Sequence, residues 1–390
     1  MAAEIILIIA TALLAWTYVI YPVGIIAAAS LGKKMRSRPG PPLHSDSLPT
    51  VTVVMSLHNE NKVVEAKIRS MLASDYPGER LDFIIGSDGS GDGTNAIIST
   101  LSATDSRIHC IIHAERRGKV AMLNDLVAKA TGEILVVTDA NVIFTPATVR
   151  RLAEAFADPG VGLCDATVNS LSGDYTGITG QENLYSRFET ALKRAEGDLW
   201  GAMPGPYGGC YAVRRRLFPR LPENTLADDL YVGLSVLRQN FRSVNNPGAN
   251  VYEDTQPDMM AQFRRRIRIA AGSFQNLFRF GPCPSRRFST CFTFFSHKIM
   301  RWLTPLLLGV FFMTTVILSG RSVVYFCLTS IQMIFIILSA LDLVLDRQGK
   351  RVRIQRFVTQ FLLMNAALAA GFVKAVRGIE TGIWEPTKRV

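Results

Sequence analysis

The chain is 390 residues long, 48% hydrophobic, and carries a formal net charge of +11. With 30 glycines and 18 prolines it is neither collagen-like nor broadly disordered, and its length allows one large domain or two ordinary ones with ample core. Six cysteines (Cys110, Cys164, Cys210, Cys283, Cys291, Cys327) form no CxxC pair and meet no clustered histidines, which excludes a zinc site and predicts reduced thiols.

The basic excess is clustered. One cluster is Lys33, Lys34, Arg36 and Arg38, a second is Arg264, Arg265, Arg266 and Arg268, and a third lies within 347–356. The first and third flank apolar runs directly, which points to cytoplasmic membrane margins before nucleic acid. Residues 5–31 are apolar and long enough to span a bilayer. The run has no basic stretch before it and is too long for a signal-peptide core, so a retained membrane helix is expected. The basic cluster behind it places the N-terminus outside and the following residues in the cytoplasm.

Residues 39–49, with several prolines and serines, read as a linker. Strands and helices then alternate: strand 51–57, helix 60–72, strand 81–86, helix 94–101, strand 107–112, helix 119–130 and strand 134–137. Such alternation implies a mainly parallel sheet with helices on both faces. Polar residues follow each strand. His58, Asn59 and Glu60 come after the first, and a glycine-rich loop from Ser87 and Asp88 to Thr94 after the second. That loop suits a close approach to a nucleotide, or a plain turn with a helix cap. It has neither Walker A nor GxGxxG spacing. Lys119 opens a helix, where an ammonium is unfavourable unless an anion sits beside it; a solvated lysine is the other reading.

The fourth strand ends in Thr138, Asp139, Ala140 and Asn141. An aspartate at the carboxyl end of a central strand stands where open α/β sheets bind ligands. With Asn141 two residues on, it suits a hard divalent cation held against a diphosphate, or simply forms a turn.

With Glu60, Asp88, Lys119 and Asp139 in order at strand and helix ends, the chain resembles the family 2 glycosyltransferases. More closely it resembles their membrane-embedded branch of cellulose, chitin and hyaluronan synthases, over residues 49–272. The resemblance implies a GT-A cytosolic domain (Rossmann-like, mainly parallel) plus transmembrane helices, a UDP-sugar donor, and Mg2+ or Mn2+. Glu60 and Asp88 would contact the uridine and Lys119 the diphosphate. Asp139 would be the first ligand of a DxD motif that here reads Asp-Ala-Asn, with Asn141 a neutral second ligand.

Gly205-Pro206-Tyr207-Gly208-Gly209 stands in the place of the family's acceptor loop, so Tyr207, Gly208 and Gly209 would meet the acceptor. Ala227-Asp228-Asp229 stands where the branch has Thr-Glu-Asp, which implies Asp229 as general base, with Asp228 the alternative. Gln262, Arg265 and Arg266 match QxxRW with Arg266 in place of Trp, and Arg265 would bind the diphosphate. The same arginines also suit a basic helix on anionic lipid.

Residues 288–300 read as an aromatic helix at the membrane surface. Residues 303–319 and 323–345 then form an apolar hairpin about a turn at 320–322. Residues 357–373 either span, leaving the C-terminus outside, or lie in the interface. Trp384 resembles the C-terminal gating tryptophan of hyaluronan synthases, a role that needs a cytoplasmic C-terminus. The organisation expected is therefore 1–38 membrane helix and margin, 39–280 catalytic domain, 281–301 interface helix, 302–377 membrane or interface helices, and 378–390 tail.

The function expected is an inverting, metal-dependent β-hexosyltransferase in the cell (inner or plasma) membrane, multi-pass, with its catalytic domain cytoplasmic. It would extend a polysaccharide from a UDP-sugar. Its partners would be membrane lipids, a saccharide or lipid-linked acceptor and export subunits, with no nucleic acid. The alternatives are transfer of one sugar to a lipid carrier or glycolipid, and a catalytically silent nucleotide-sensing scaffold.

Overall fold

The computed structural model describes residues 1–35, 47–170, 177–253, 259–347 and 353–382. Arg36, Arg38, part of the third basic cluster and Trp384 lie outside them. Helices α1 (Ala2–Ala15) and α2 (Tyr21–Met35) run on through a π-helical turn, Trp16–Ile20. The α/β region follows as β1 (Val51–Leu57), α3 (Val64–Leu72), β2 (Leu81–Asp88), α4 (Thr94–Thr104), β3 (Ile108–His113), α5 (Lys119–Lys129) and β4 (Ile134–Thr138). Next come β5 (Val142–Phe144), α6 (Thr148–Glu154), β6 (Val161–Ser170), α7 (Gly177–Trp200), β7 (Cys210–Arg214), α8 (Asp228–Arg238) and β8 (Arg242–Glu253). The rest is helical: α9 (Met259–Phe280), α10 (Phe288–Thr293), a π segment Phe294–Ile299, α11 (Met300–Trp302), α12 (Thr304–Leu318), α13 (Val323–Arg347) and α14 (Arg353–Arg377).

Among the described residues eight strands form one sheet in the order β3-β2-β1-β4-β7-β6-β8-β5. The first four are parallel, as their helical crossovers require, while β7 and β5 run against their neighbours and make the sheet mixed. Strand β1 is apolar at consecutive positions because both its faces are covered. Val53 and Met55 pack with Val64 and Ile68 of α3, whereas Val54 packs with Met122, Leu123 and Leu126 of α5. The chain goes from β1 through β2 to β3 on one side and returns to β4 on the other. That reversal opens a crevice at the carboxyl ends of β1 and β4.

Gly132, just before β4, lies against β1: a Cβ there would stand 2.5 Å from the Thr52 amide nitrogen. Gly132→Ala is therefore expected to destabilise the domain by about 1–3 kcal/mol, read as a lower midpoint in thermal or urea unfolding.

Three expectations are corrected. The helix expected from Glu60 begins only at Val64, because Glu60 N donates to Thr94 Oγ1 (2.9 Å) and Asn61 N to Asp92 Oδ2 (3.1 Å), tying this stretch to the glycine-rich loop. Cys283 and Cys291, expected reduced, are disulfide-bonded, since the turn between α9 and α10 brings their Cα atoms to 4.5 Å. The apolar run 303–319 forms only the 15-residue α12, about 22 Å long and short of a ~30 Å bilayer core. Pro305 cannot carry a helix backwards through its own nitrogen, and residues 288–302 meet α12 at a 57° bend.

Among the described residues three helices are long and apolar enough to cross a membrane, over Ala2–Gly32, Val323–Leu345 and Gln355–Arg377; the bent pair would make a fourth. Their outer faces expose large apolar side chains such as Ile8, Val19, Val324 and Ile337. Helix α14 packs closely on α9, where a Cβ on Gly371 would stand 2.4 Å from that of Ala270.

Candidate active site

A cavity of about 980 Å³ occupies the crevice. Glu60, Asp88, Lys119, Asp139, Asn141, Tyr207, Gly208, Gly209, Asp228, Asp229, Arg265 and Arg266 all line it. Of the other residues singled out in the sequence, Gln262 lies on α9 without lining the cavity, and Trp384 is outside the described residues.

One end of the cavity is built on β1 and β2. Asp88 is 2% exposed, and both its oxygens are occupied: Oδ1 accepts from Arg117 N and Oδ2 from Gly118 N, each at 2.7 Å. His58 Nδ1 lies 2.7 Å from the Asp88 carbonyl oxygen. Asp88 thus holds the Arg117–Gly118 turn, in which Gly118 takes φ +96°, and sets where Lys119 emerges.

Lys119 is the hub of the next layer. Its Nζ is 3.0 Å from Asp139 Oδ1 and 3.5 Å from Asp228 Oδ2. Burial alone would pull the ammonium down, but Asp139 and Asp228 outweigh it and hold the charge above the usual lysine range. Asp139 N donates to the Gly209 carbonyl at 3.0 Å, joining the end of β4 to the glycine-rich loop before β7.

Asn141 Nδ2 donates to Glu253 Oε1 at 2.8 Å, and the Tyr207 hydroxyl donates to Glu253 Oε2. Tyr207 N also donates to Asp165 Oδ1 at 2.6 Å, while Asp165 pairs with Lys193 at 3.1 Å. Burial and the Glu253 carboxylate push the Tyr207 phenol well above its ordinary range, so it acts as a donor.

The two aspartates at the start of α8 face different groups. Asp228 reaches Lys119, whereas Asp229 Oδ2 faces Gly208 so closely that a Cβ on that glycine would stand 2.9 Å away. Burial first, and the Asp228 charge second, raise the Asp229 carboxyl to about 6. The loop before them is clamped by α9. Gln275 Nε2 donates to Asn224 O (2.9 Å), Asn276 Nδ2 to Ala227 O (3.0 Å), and Arg279 to Thr225 Oγ1 (2.7 Å).

Several residues that line or brace the site were not singled out. Arg268 lies one turn after Arg265 and lines the cavity. Burial and the neighbouring Arg265 pull its guanidinium down to about 10, against Asp228, Asp139 and Asp229. The i,i+3 spacing on a helix carried that signal. Glu253 ends β8 and needed only the strand-end argument already applied to Asp139. The lining also takes in a largely apolar wall, with Trp302 of α11 and Phe357, Phe361, Met364 and Leu368 of α14, among which stand Gln360 and Asn365. No pattern within the α/β region announces that wall.

Residues 52–221 match the family model described as glycosyl transferase family 2. The chain is similar to "Probable glycosyltransferase YdaM" of Bacillus subtilis, 26% identical over 58% of this chain and 56% of the relative. It is likewise similar to an N-acetylglucosaminyltransferase of Rhizobium meliloti (23%; 61% and 58%) and to a beta-monoglucosyldiacylglycerol synthase of Synechocystis (26%; 58% and 48%). The matches thus span only about half the length of these relatives. Among solved structures, the mannosyltransferase PcManGT of Pyrobaculum calidifontis, in complex with GDP-Man and Mn2+, superposes with a TM-score of 0.71 at 22% identity. That match covers 95% of this chain and 99% of the other. The chain thus matches the glycosyl transferase family 2 model over residues 52–221 and has a GT-A fold.

Proposed function

We propose that the protein is a membrane glycosyltransferase that moves a sugar, with inversion, from a nucleoside diphosphate sugar to a lipid acceptor. One observation carries this reading: a single cavity runs from Glu60, Lys119 and Asp139 past Asp229 to the apolar side chains of α11 and α14. A diphosphate suits the cationic end and an acyl or prenyl chain the apolar end. The acceptor hydroxyl lies between them, beside Asp229. A lipid acceptor accounts for that wall more directly than the polysaccharide expected from sequence. The apolar outer faces of the candidate spans support membrane residence, and the basic margins a cytoplasmic catalytic domain.

Asp229 accepts the proton of the acceptor hydroxyl as its oxygen attacks the anomeric carbon and the bond to the diphosphate breaks. Lys119 and Arg268 offset the charge that develops on the leaving diphosphate. Asp228, drawn to Lys119, keeps the ammonium placed and raises the basicity of Asp229.

The residues at the end of β4 fit a divalent cation as a partial cradle. Among the described residues no three His, Cys, Asp or Glu side chains form a metal site by themselves. Asp139 supplies a carboxylate, and Asn141, its Nδ2 committed to Glu253, has an amide oxygen left to offer. Such hard oxygen donors suit Mg2+ or Mn2+ with the diphosphate completing the shell. When bound, the ion polarises the diphosphate and stabilises it as a leaving group.

The test is purified protein in nanodiscs given radiolabelled UDP- and GDP-sugars and a membrane lipid extract. Label in the organic phase as a single-sugar lipid is expected; a water-soluble polymer with no lipid product would overturn the lipid reading. Gly208→Ala is expected to lower kcat by about 10–100-fold with nucleotide affinity unchanged, because its methyl displaces Asp229. Transfer rates and calorimetric nucleotide binding on the same preparation check this.

A further inference from the structure

Lys67 of α3 is fully buried, yet none of the proposed steps uses it. Its Nζ donates to Thr138 Oγ1 at 2.9 Å and to the Val142 carbonyl at 2.5 Å, and lies 3.5 Å from the centre of the Phe144 ring. Thr138 immediately precedes Asp139, and Val142 immediately follows Asn141. The ammonium therefore grips both ends of the turn that presents the candidate metal and diphosphate ligands. Thr138 passes the grip on: its Oγ1 donates to Gly209 O at 3.0 Å, the same carbonyl that accepts from Asp139 N. One buried amine thereby ties the end of β4 to the Tyr207–Gly208–Gly209 loop.

An ammonium in this position is costly. Burial pulls it down to about 7, with Cys210 and Asp139 only partly countering that pull. A methionine would fill the same stem volume without the desolvation penalty. Packing alone does not account for a lysine here, whereas control of the turn does.

We infer that Lys67 is a positioning residue for donor binding, holding the Thr138–Val142 turn from beneath the sheet so that Asp139 and Asn141 meet a metal–diphosphate group in one fixed arrangement. This rests on the reading of Asp139 as the residue that meets that group. Lys67 touches neither donor nor acceptor and acts only through the turn.

The test measures UDP and GDP binding by calorimetry, with and without Mn2+, for Lys67→Met, Lys67→Gln, Thr138→Val, the Lys67→Met/Thr138→Val double variant and Asp139→Asn. Lys67→Met is expected to weaken the Mn2+-dependent nucleotide affinity by about tenfold or more, while affinity without Mn2+ stays put. Thr138→Val should act in the same direction, and the double variant should be no worse than Lys67→Met alone, since both cut one connection. Lys67→Gln, which keeps one donor, should fall between wild type and Lys67→Met. It carries the test if Lys67→Met does not fold. A generally destabilised protein would lose affinity with and without Mn2+ alike, and that result would overturn the inference. So would a folded Lys67 variant that binds Mn2+ and nucleotide like wild type while Asp139→Asn does not; the donor reading would then survive. If Asp139→Asn itself leaves the Mn2+ effect intact, the donor reading fails and takes this one with it.

Discussion

Replacing Asp229 with asparagine will lower kcat by about 10²–10⁴-fold while leaving nucleotide affinity close to wild type. The amide keeps the shape of the side chain at the start of α8 but cannot accept the proton of the acceptor hydroxyl. Burial, and then the Asp228 charge, raise the carboxyl to about 6. A raised carboxylate is lost as pH falls through that value, so kcat/KM of wild type will drop about tenfold per pH unit below about 6 and level off above it. Asp228→Asn removes the like charge and shifts this acidic limb to lower pH. Steady-state transfer from pH 4.5 to 8 in a constant-ionic-strength buffer reads both effects. Full turnover in Asp229→Asn would refute the base assignment.

The second large effect is expected at Asp139. Asparagine there is nearly isosteric and keeps the backbone bond to Gly209, but it removes the charge that Lys119 and a cation would share. We expect kcat/KM to fall by at least about 100-fold and the response to added Mn2+ or Mg2+ to vanish over the whole titration. An unchanged metal titration would show that the cation acts without Asp139 and would refute its assignment as the ligand.

The parallel half of the sheet was legible because its strands are buried on both faces and therefore apolar at consecutive positions. Strands β1 and β4 were bounded to within a residue. The residues placed at strand ends converge on one cavity for the same reason, since parallel strands deliver their carboxyl ends to one edge. What sequence could not carry was direction and partnership. Asp88 read as a nucleotide contact, yet its carboxylate is spent on two backbone amides. Nothing local told Asp228 from Asp229 until Lys119 and Gly208 were seen to face different ones. Lys67 was given no role from sequence, although its stem is enclosed and its ammonium donates to Thr138 at the end of β4. The disulfide between Cys283 and Cys291 hinges on the turn between α9 and α10, which spacing alone does not specify.

The loop before Asp228 is held from two sides. Helix α9 grips it with Gln275, Asn276 and Arg279, and from the far end of the chain Asn224 Nδ2 donates to Ile379 O at 3.0 Å, just beyond α14. Because α9 and α14 are themselves in contact through Gly371 and Ala270, the loop before Asp228 is linked to the terminal helix by packing as well as by this hydrogen bond. If α14 is seated in lipid, the bilayer becomes a ruler. The height of the carboxylate above the acyl chains is then set by the seating depth of one helix, and only an acceptor whose hydroxyl rides at that height will meet it. A bilayer thicker or thinner than the helix would change which lipids are glycosylated without touching a residue of the site.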